Sequence, residues 1–256
     1  MKAVTVHLWR VAALVVLCTL ALQLYFVGRI ALMNVIDPQS TSFQRSEAWR
    51  LLTEQGRILW SQQWVDYERI SPNLKRAVIA SEDANFAEHS GIEWDAIEKA
   101  WERNQRAEAA AARQQQRLAK RAPSPAAGKP LPQPKIVGGS TITQQLAKNL
   151  FLGSERSLAR KAQEAAITFM LEGLLSKRRI LEIYLNNVEW GEGLFGAEAA
   201  ARHYYRVSAQ QLGVGPAARL AVMLPAPKRF EKRPGSAYIA GRAGTVAARM
   251  GAVELP

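Results

Sequence analysis

The first strong pattern in the chain is Val11 to Gly28, eighteen residues without a charge, in which only Thr19 and Gln23 are clearly polar. Arg10 and Arg29 bracket it. At helical rise such a run covers roughly 27 Å, enough to cross a hydrocarbon core of about 30 Å once its flanks snorkel. It is longer than the apolar stretch of a cleavable signal, and no small-x-small site follows closely, so it predicts an uncleaved anchor over 11–30. Lys2 and Arg10 precede it, which keeps residues 1–10 cytoplasmic by the positive-inside rule and the remainder outside the cytoplasm. Residues 31–45, with Asp37-Pro38, read as a linker.

Beyond the anchor the apolar positions recur mostly at helical spacing. Ser46 to Trp60 has a mixed helical pattern, and Trp64 to Tyr67 alternates as a short strand would. Ser71-Pro72 is a helix start, with serine as N-cap and proline in the first turn. Leu74, Ala77, Val78 and Ala80 form the inward face of that helix, which ends at Glu82-Asp83. A second helix begins near Glu93 with Trp94, Ile97 and Trp101 on one face. From about Arg103 to Lys135 the composition shifts to alanine, glutamine, scattered cations and then five prolines. This 103–135 insertion reads as a basic helical extension running into a disordered, Pro-rich loop.

After Gly138-Gly139, Ser140 is placed to cap a helix carrying Ile142, Leu146 and Leu150 on one face and Thr141, Gln145 and Lys148 on another. Ser157 and Ser176 are placed to cap two more, Leu158 to Leu175 and a helix opening on Lys177-Arg178-Arg179 with Ile180, Leu181, Tyr184 and Leu185 as its apolar side. Further helices are expected over 197–205, 217–224 and 237–250. Strand signals are few, so the fold class is mainly α, with the body over 46–235 and a C-terminal helix and tail over 236–256.

Composition narrows the function. The chain has 256 residues, one cysteine (Cys18) and three dispersed histidines, so it carries no intrachain disulfide and no Cys-based zinc site. A formal net charge of +12 points to an anionic partner. An anchor turns that expectation away from nucleic acid and toward lipid headgroups or a lipid-linked phosphate. Three groups of residues carry candidate chemistry. Glu82 and Asp83 sit at a helix-to-loop junction, where paired acids are solvated, neutralised or put to use. Arg160 and Glu164 share a helix face, with Lys161 beside them, either as a surface ion pair or as an acid among cations that grip an anion. Three cations in the first turn after Ser176 oppose the helix dipole, so an anionic neighbour or plain solvation is expected there.

The residues resemble a known family in four ordered stretches. Glu82-Asp83-x-x-Phe86-x-x-His89-x-Gly91, Gly139-Ser140-Thr141-Ile142-Thr143-Gln144-Gln145-x-x-Lys148-Asn149, Arg160-Lys161-x-x-Glu164 and Lys177-x-x-Ile180-Leu181-Glu182-x-Tyr184-Leu185-Asn186 are similar to motifs of the peptidoglycan glycosyltransferases (glycosyltransferase family 51). Gln211 to Pro227 resembles a fifth motif more loosely. The single anchor, and the lack of Ser-x-x-Lys and Lys-Thr-Gly, resemble the monofunctional biosynthetic type rather than its penicillin-binding relatives.

The resemblance implies a lysozyme-like fold of one large lobe and a small membrane-associated jaw lobe. It implies a periplasmic catalytic domain held at the bacterial inner membrane by one span. It implies polymerisation of lipid II into β-1,4-linked glycan for the cell wall. By resemblance, Glu82 is the general base on the acceptor 4-hydroxyl, and Glu164 assists at the donor pyrophosphate, which Lys148, Arg160 and Lys161 neutralise. Ser140, Thr141, Gln145 and Asn149 would line the donor cleft, and Phe86 would join the substrate-binding set. Asp83 and His89 would belong to that set as well, shaping the loop rather than doing chemistry. No cofactor is implied as required; a divalent cation (Mg or Mn), with Asp83 as its candidate ligand, is optional. The implied partners are lipid II, the nascent glycan strand, the membrane and cell-division or wall-synthesis proteins, with no nucleic acid. The 103–135 stretch is longer than the family's connection at that place. A lytic muramidase of similar fold and a non-catalytic wall-synthesis scaffold are the competing expectations. The first would not need the cation cluster, and the second would not need Glu82 and Glu164.

Overall fold

The computed structural model describes residues 2–121, 139–153, 155 and 157–256. In chain order these form α1 (Lys2–Leu32), α2 (Ser42–Gln55), β1 (Ser61–Gln62), α3 (Pro72–Glu82), α4 (Trp94–Arg121), α5 (Ile142–Phe151), α6 (Leu158–Leu174), α7 (Lys177–Asn187), β2 (Glu189–Gly191), β3 (Leu194–Phe195), α8 (Ala197–Tyr205), α9 (Val214–Met223), α10 (Pro227–Phe230) and α11 (Ala237–Arg249). The fold is mainly α, as the helical spacing predicts.

Within α1, Val6–Leu32 is long and apolar enough to cross a membrane. Its C-terminal turns belong to the globular body: Phe26, Ile30 and Met33 are buried, and the Phe26 ring meets Phe151 of α5 edge-on at 5.2 Å. Arg179 of α7 holds the connection that follows, donating to the Met33 carbonyl at 2.7 Å and pairing with Asp37 at 2.6 Å. The linker is therefore shorter than 31–45. Helix α2 starts at Ser42 because Thr41 and Gln44 form a reciprocal capping box. It ends at Gly56, which adopts the left-handed conformation at φ 67°. This corrects the expected helix over 46–60.

Trp64 to Tyr67 is not a strand. The backbone groups of Val65 that a neighbouring strand would bond are taken by the Asn186 side chain, whose Oδ1 accepts from the Val65 N–H at 2.9 Å and whose amide donates to the Val65 carbonyl at 2.9 Å. The small sheet instead has the order β1-β3-β2, with β1 parallel and β2 antiparallel to β3. The β2–β3 turn needs Gly193, at φ +69°, because a Cβ there would stand 2.3 Å from the Leu59 carbonyl oxygen.

The core is built around α3, α7 and α9. Ser71 caps α3 and Pro72 opens it, and Leu74, Ala77, Val78 and Ala80 are all buried as predicted. Helix α3 packs on α9, and α11 packs on both. The segment 236–256 is thus part of the core rather than an appended tail: Ile239, Val246, Met250 and Val253 are buried, and the Tyr67 hydroxyl donates to the Pro256 carbonyl. Helix α9 begins at Val214, three residues before the expected Ala217. Helix α4 runs to Arg121, so residues 103–121 are helical; 122–138, which hold the prolines and Gly138, lie outside the described residues. Trp94 and Trp101 on α4 are 69% and 67% exposed.

Candidate active site

Glu82 is the last residue of α3 and is only partly buried. The helix stops there because Asp83 leaves helical geometry, at φ −162° and ψ 73°, and turns its carboxylate toward α5. Asp83 Oδ2 accepts the Ile142 N–H at 2.9 Å, an orphan donor of the α5 N-terminus. Asp83 Oδ1 meets His89 Nε2 at 2.8 Å. The Gly91 N–H donates to His89 Nδ1 at 3.0 Å, so the ring proton sits on Nε2 and is donated to Asp83. The Thr141 hydroxyl caps α5 by accepting from the Gln144 N–H, and donates to the Gly91 carbonyl at 2.5 Å. Together these bonds fasten the Ser81–Gly91 stretch to the start of α5.

Several expectations change here. Thr141, not Ser140, is the N-cap; Ser140 lies exposed just before it. Thr141 is 2% exposed and its hydroxyl is committed to the two backbone contacts, so it organises the cleft rather than lining it. Phe86 is fully buried, with Lys177 Nζ 4.6 Å from its ring centroid and His89 against its edge. It is a packing residue, and its expected place in the substrate-binding set is corrected by that burial.

Gln145, one turn into α5, donates to Glu82 Oε2 at 3.1 Å. Its own carbonyl accepts from the hydroxyl of Tyr184, a fully buried residue of α7, at 2.9 Å. Burial pushes the Glu82 carboxyl above its ordinary range, with Asp83 adding to the push, while the Gln145 amide and the Ser81 hydroxyl oppose it. The same surroundings raise the Tyr184 phenol well above its usual value, first through burial and then through Glu82 and Asp83.

Three residues beyond Gln145, Lys148 projects from the same side of α5 toward the first turns of α6. Burial lowers its ammonium, Glu164 opposes that, and Arg160 and Lys161 add to it. Glu164 itself is 3% exposed. It accepts from Arg160 Nη1 at 2.8 Å and from the Lys161 ammonium. Arg160 Nε is buried without a hydrogen-bond partner among the described residues, and the Lys161 side chain is 51% exposed. Asn149 is half-buried nearby on α5. One turn of α5, about 4.5 Å of rise, therefore separates the residue that touches Glu82 from the residue that borders the Glu164 cluster.

The cations after Ser176 are used differently. Lys177 pairs with Glu172 at 2.8 Å, Arg178 pairs with Glu68, and Arg179 pairs with Asp37 and Glu182. The anionic neighbours expected there are the protein's own carboxylates.

Asp83, His89 and Glu93 offer ligand atoms within 4.8 Å of one another. Their donor set does not fit a resident cation as arranged. Both Asp83 oxygens are occupied, His89 Nε2 carries a proton, His89 Nδ1 accepts from Gly91, and Glu93 Oε1 accepts from Asn85 at 2.6 Å.

A helical body that sets one lightly bonded carboxyl beside a cluster of cations, next to a membrane-length helix, can take a proton from a hydroxyl and hold an anion close by. The sequence comparisons agree. The model of the family described as Transglycosylase matches residues 52–117 and 126–251. A biosynthetic peptidoglycan transglycosylase of Paraburkholderia phytofirmans is 52% identical over 244 residues, covering 95% of this chain and 91% of that protein. Proteins of the same description from Burkholderia thailandensis (53% identical; 93% and 83% covered) and Paraburkholderia xenovorans (50%; 95% and 91%) are similar to it as well. The chain belongs to the transglycosylase family. The break in the family match, between 117 and 126, falls within the 103–135 stretch.

Tyr184 is the site residue that sequence reasoning passed over. Its spacing on α7 marks it as apolar core, and only its hydroxyl, aimed at Gln145, sets it apart.

Proposed function

We infer that the chain polymerises lipid II, adding each incoming disaccharide to the growing strand and releasing undecaprenyl pyrophosphate, with Glu82 as general base. The observation that carries this reading is the unequal treatment of the two acids. Glu164 is saturated by two cations, whereas Glu82 has an amide and a distant hydroxyl (3.4 Å) as its partners. Two carboxyls in such different surroundings are suited to different roles. A base needs proton affinity, which burial gives Glu82, and must still be ionised at working pH, which the Gln145 amide favours.

In this reading the acceptor 4-hydroxyl gives its proton to Glu82 as its oxygen attacks the anomeric carbon of the donor. The bond from that carbon to the pyrophosphate oxygen breaks, and the electron pair leaves with the pyrophosphate. The α-linked donor gives a β-linked product by one inversion. Lys148, Lys161 and Arg160 meet the charge that grows on the leaving group, where fixed cations act most strongly. Glu164 holds Arg160 and Lys161 in place. No step runs through a divalent cation, because the Asp83–His89–Glu93 group is internally committed.

Lys2 and Arg10 ahead of the span support, by the positive-inside rule, a reading with residues 1–10 in the cytoplasm and the reaction at the outer face of the bacterial inner membrane. A muramidase, whose leaving group is a sugar hydroxyl, leaves the cluster around Glu164 without a purpose.

The test compares wild type with Glu82→Gln on lipid II in detergent. Long glycan from wild type and none from a folded variant supports the reading. Shortening of preformed glycan by a wild type that ignores lipid II would overturn it.

A further inference from the structure

We propose that Gln23 of the anchor and Gln163 of α6 form a positioning clamp that sets the pyrophosphate-binding cations at the depth of the lipid headgroups. This inference rests on the lipid II reading and adds two residues to it.

The observations begin in the span. Residues 6–22 are all exposed on the protein, and Gln23 is the first that is not. From Val11, the first residue after Arg10, to Leu22 the helix rises about 18 Å of a hydrocarbon core about 30 Å thick. Gln23 then falls in the outer half of that core, followed by the buried Phe26, Ile30 and Met33. A glutamine amide at that depth is costly unless its donors and acceptor are engaged. Here they are engaged reciprocally: Gln23 Nε2 donates to Gln163 Oε1 at 2.9 Å, and Gln163 Nε2 donates to Gln23 Oε1 at 3.0 Å. Paired amides fix distance and rotation together, which an apolar contact does not.

Gln163 immediately precedes Glu164, and Arg160 and Lys161 stand within one turn of it. The face of α6 that grips the anchor and the face that carries the donor cations are thus rigidly joined. A polyprenyl pyrophosphate has its tail in hydrocarbon and its phosphates at the headgroups. Depth is therefore the coordinate in which the cations must match it, and the amide pair sets that coordinate. The two glutamines touch no substrate; they act through α6.

The test uses the full chain in proteoliposomes with fluorescent lipid II. Variants are Gln23→Leu, Gln163→Leu, the pair together, and Leu17→Ala as a mid-span control. Interhelical hydrogen bonds in membranes correspond to about three- to tenfold in an equilibrium. Each single variant should raise KM by about that factor with kcat within about twofold, and should shorten the glycan strands. The double variant should be no worse than either single one, the thermal unfolding midpoint should hold, and Leu17→Ala should match wild type. KM and strand length at wild-type values in both single variants would overturn the clamp. So would a fall in kcat that tracks the unfolding midpoint, which marks a structural role. A cysteine pair at 23 and 163, in a Cys18→Ser background, checks the contact itself and should cross-link in membranes. A wild type that leaves lipid II untouched while that pair cross-links would overturn the polymerase reading, and the clamp's purpose with it, although the contact stands.

Discussion

Replacing Tyr184 by phenylalanine removes one oxygen and leaves the core volume intact. That oxygen is the group that orients Gln145, at 2.9 Å, so that the Gln145 amide faces Glu82 at 3.1 Å. Without it the amide can rotate half a turn and present its carbonyl to the carboxylate. Losing one buried hydrogen bond costs about 0.5–1.5 kcal/mol of stability. Carried into the proton affinity of the base, up to that energy moves the acid limb by at most about one pH unit and lowers kcat/KM up to about tenfold on that limb. The pH dependence is the sharper measurement. Burial and Asp83 raise the Glu82 carboxyl, and the Gln145 and Ser81 bonds oppose them. Weakening an opposing bond raises the carboxyl further. A base works ionised, so the acid limb of the kcat/KM profile moves to higher pH, and the deficit of Tyr184→Phe is largest in acid and closes in alkali. Continuous lipid II polymerisation between about pH 5 and 9 reads this limb in the free enzyme. A deficit equal at every pH, or none at all, would show that Tyr184 is packing and that Gln145 does not tune the base.

The remaining expectations follow from the same geometry. Asp83→Asn replaces one of the two accepting oxygens with an amide donor, so either the Ile142 N–H or the His89 Nε2–H faces a donor; it should destabilise by about 1–3 kcal/mol in denaturant titration and abolish polymerisation with the fold loosened. Lys161→Ala should cut kcat by about 10–1000-fold, as loss of a donor to a developing anion does, with Lys161→Arg retaining most of the rate in the same assay. Glu189, whose buried Oε1 takes no hydrogen bond among the described residues and has the Lys228 ammonium at 3.7 Å, is pushed by burial to about 7 from an ordinary 4.5. A carboxyl raised on folding gives stability that is full below its unfolded value and is lost as pH rises through the folded one. Glu189→Gln should therefore flatten the stability decline between pH 4.5 and about 7 and unfold later than wild type at pH 8, by at most about 3 kcal/mol.

How much of this the sequence disclosed depends on the reach of the interaction. The helices with a serine cap and a regular apolar face, α3, α6 and α7, were legible because both signals are local. The strand expected at Trp64 to Tyr67 failed because its would-be ladder partner is a side chain from α7, over a hundred residues away; alternation cannot reveal that. Ser140 was a reasonable cap in composition. Thr141 takes the role because Gln144 stands three residues after it and completes the box. Phe86 shows the opposite limit. Its motif spacing marks it as belonging to the site, but spacing does not separate a ring that touches substrate from one that supports the loop beneath. Tyr184 sits on a face that periodicity assigns to packing and matters through one polar atom, and the partner of Gln163 lies in the anchor, beyond the reach of local spacing.

The net charge of +12 illustrates how structure sorts what composition sums. Two runs of cations lie near the starts of successive helices, Arg160-Lys161 in α6 and Lys177-Arg178-Arg179 in α7, and sequence alone treats them alike. In α7 each cation has an acid: Glu172, Glu68, or Asp37 with Glu182. That charge holds the anchor connection and the neighbouring turn in place and is spent within the fold. In α6 two cations share the single Glu164, Lys148 faces them from α5, and one guanidinium nitrogen has no hydrogen-bond partner among the described residues. One carboxylate cannot neutralise three cations, so a positive surplus remains at this point of the cleft. A surplus held partly out of water is unfavourable unless an anion arrives to complete it. In the proposed reading the donor pyrophosphate is such an anion, and its departure as a neutralised leaving group is the step the surplus serves.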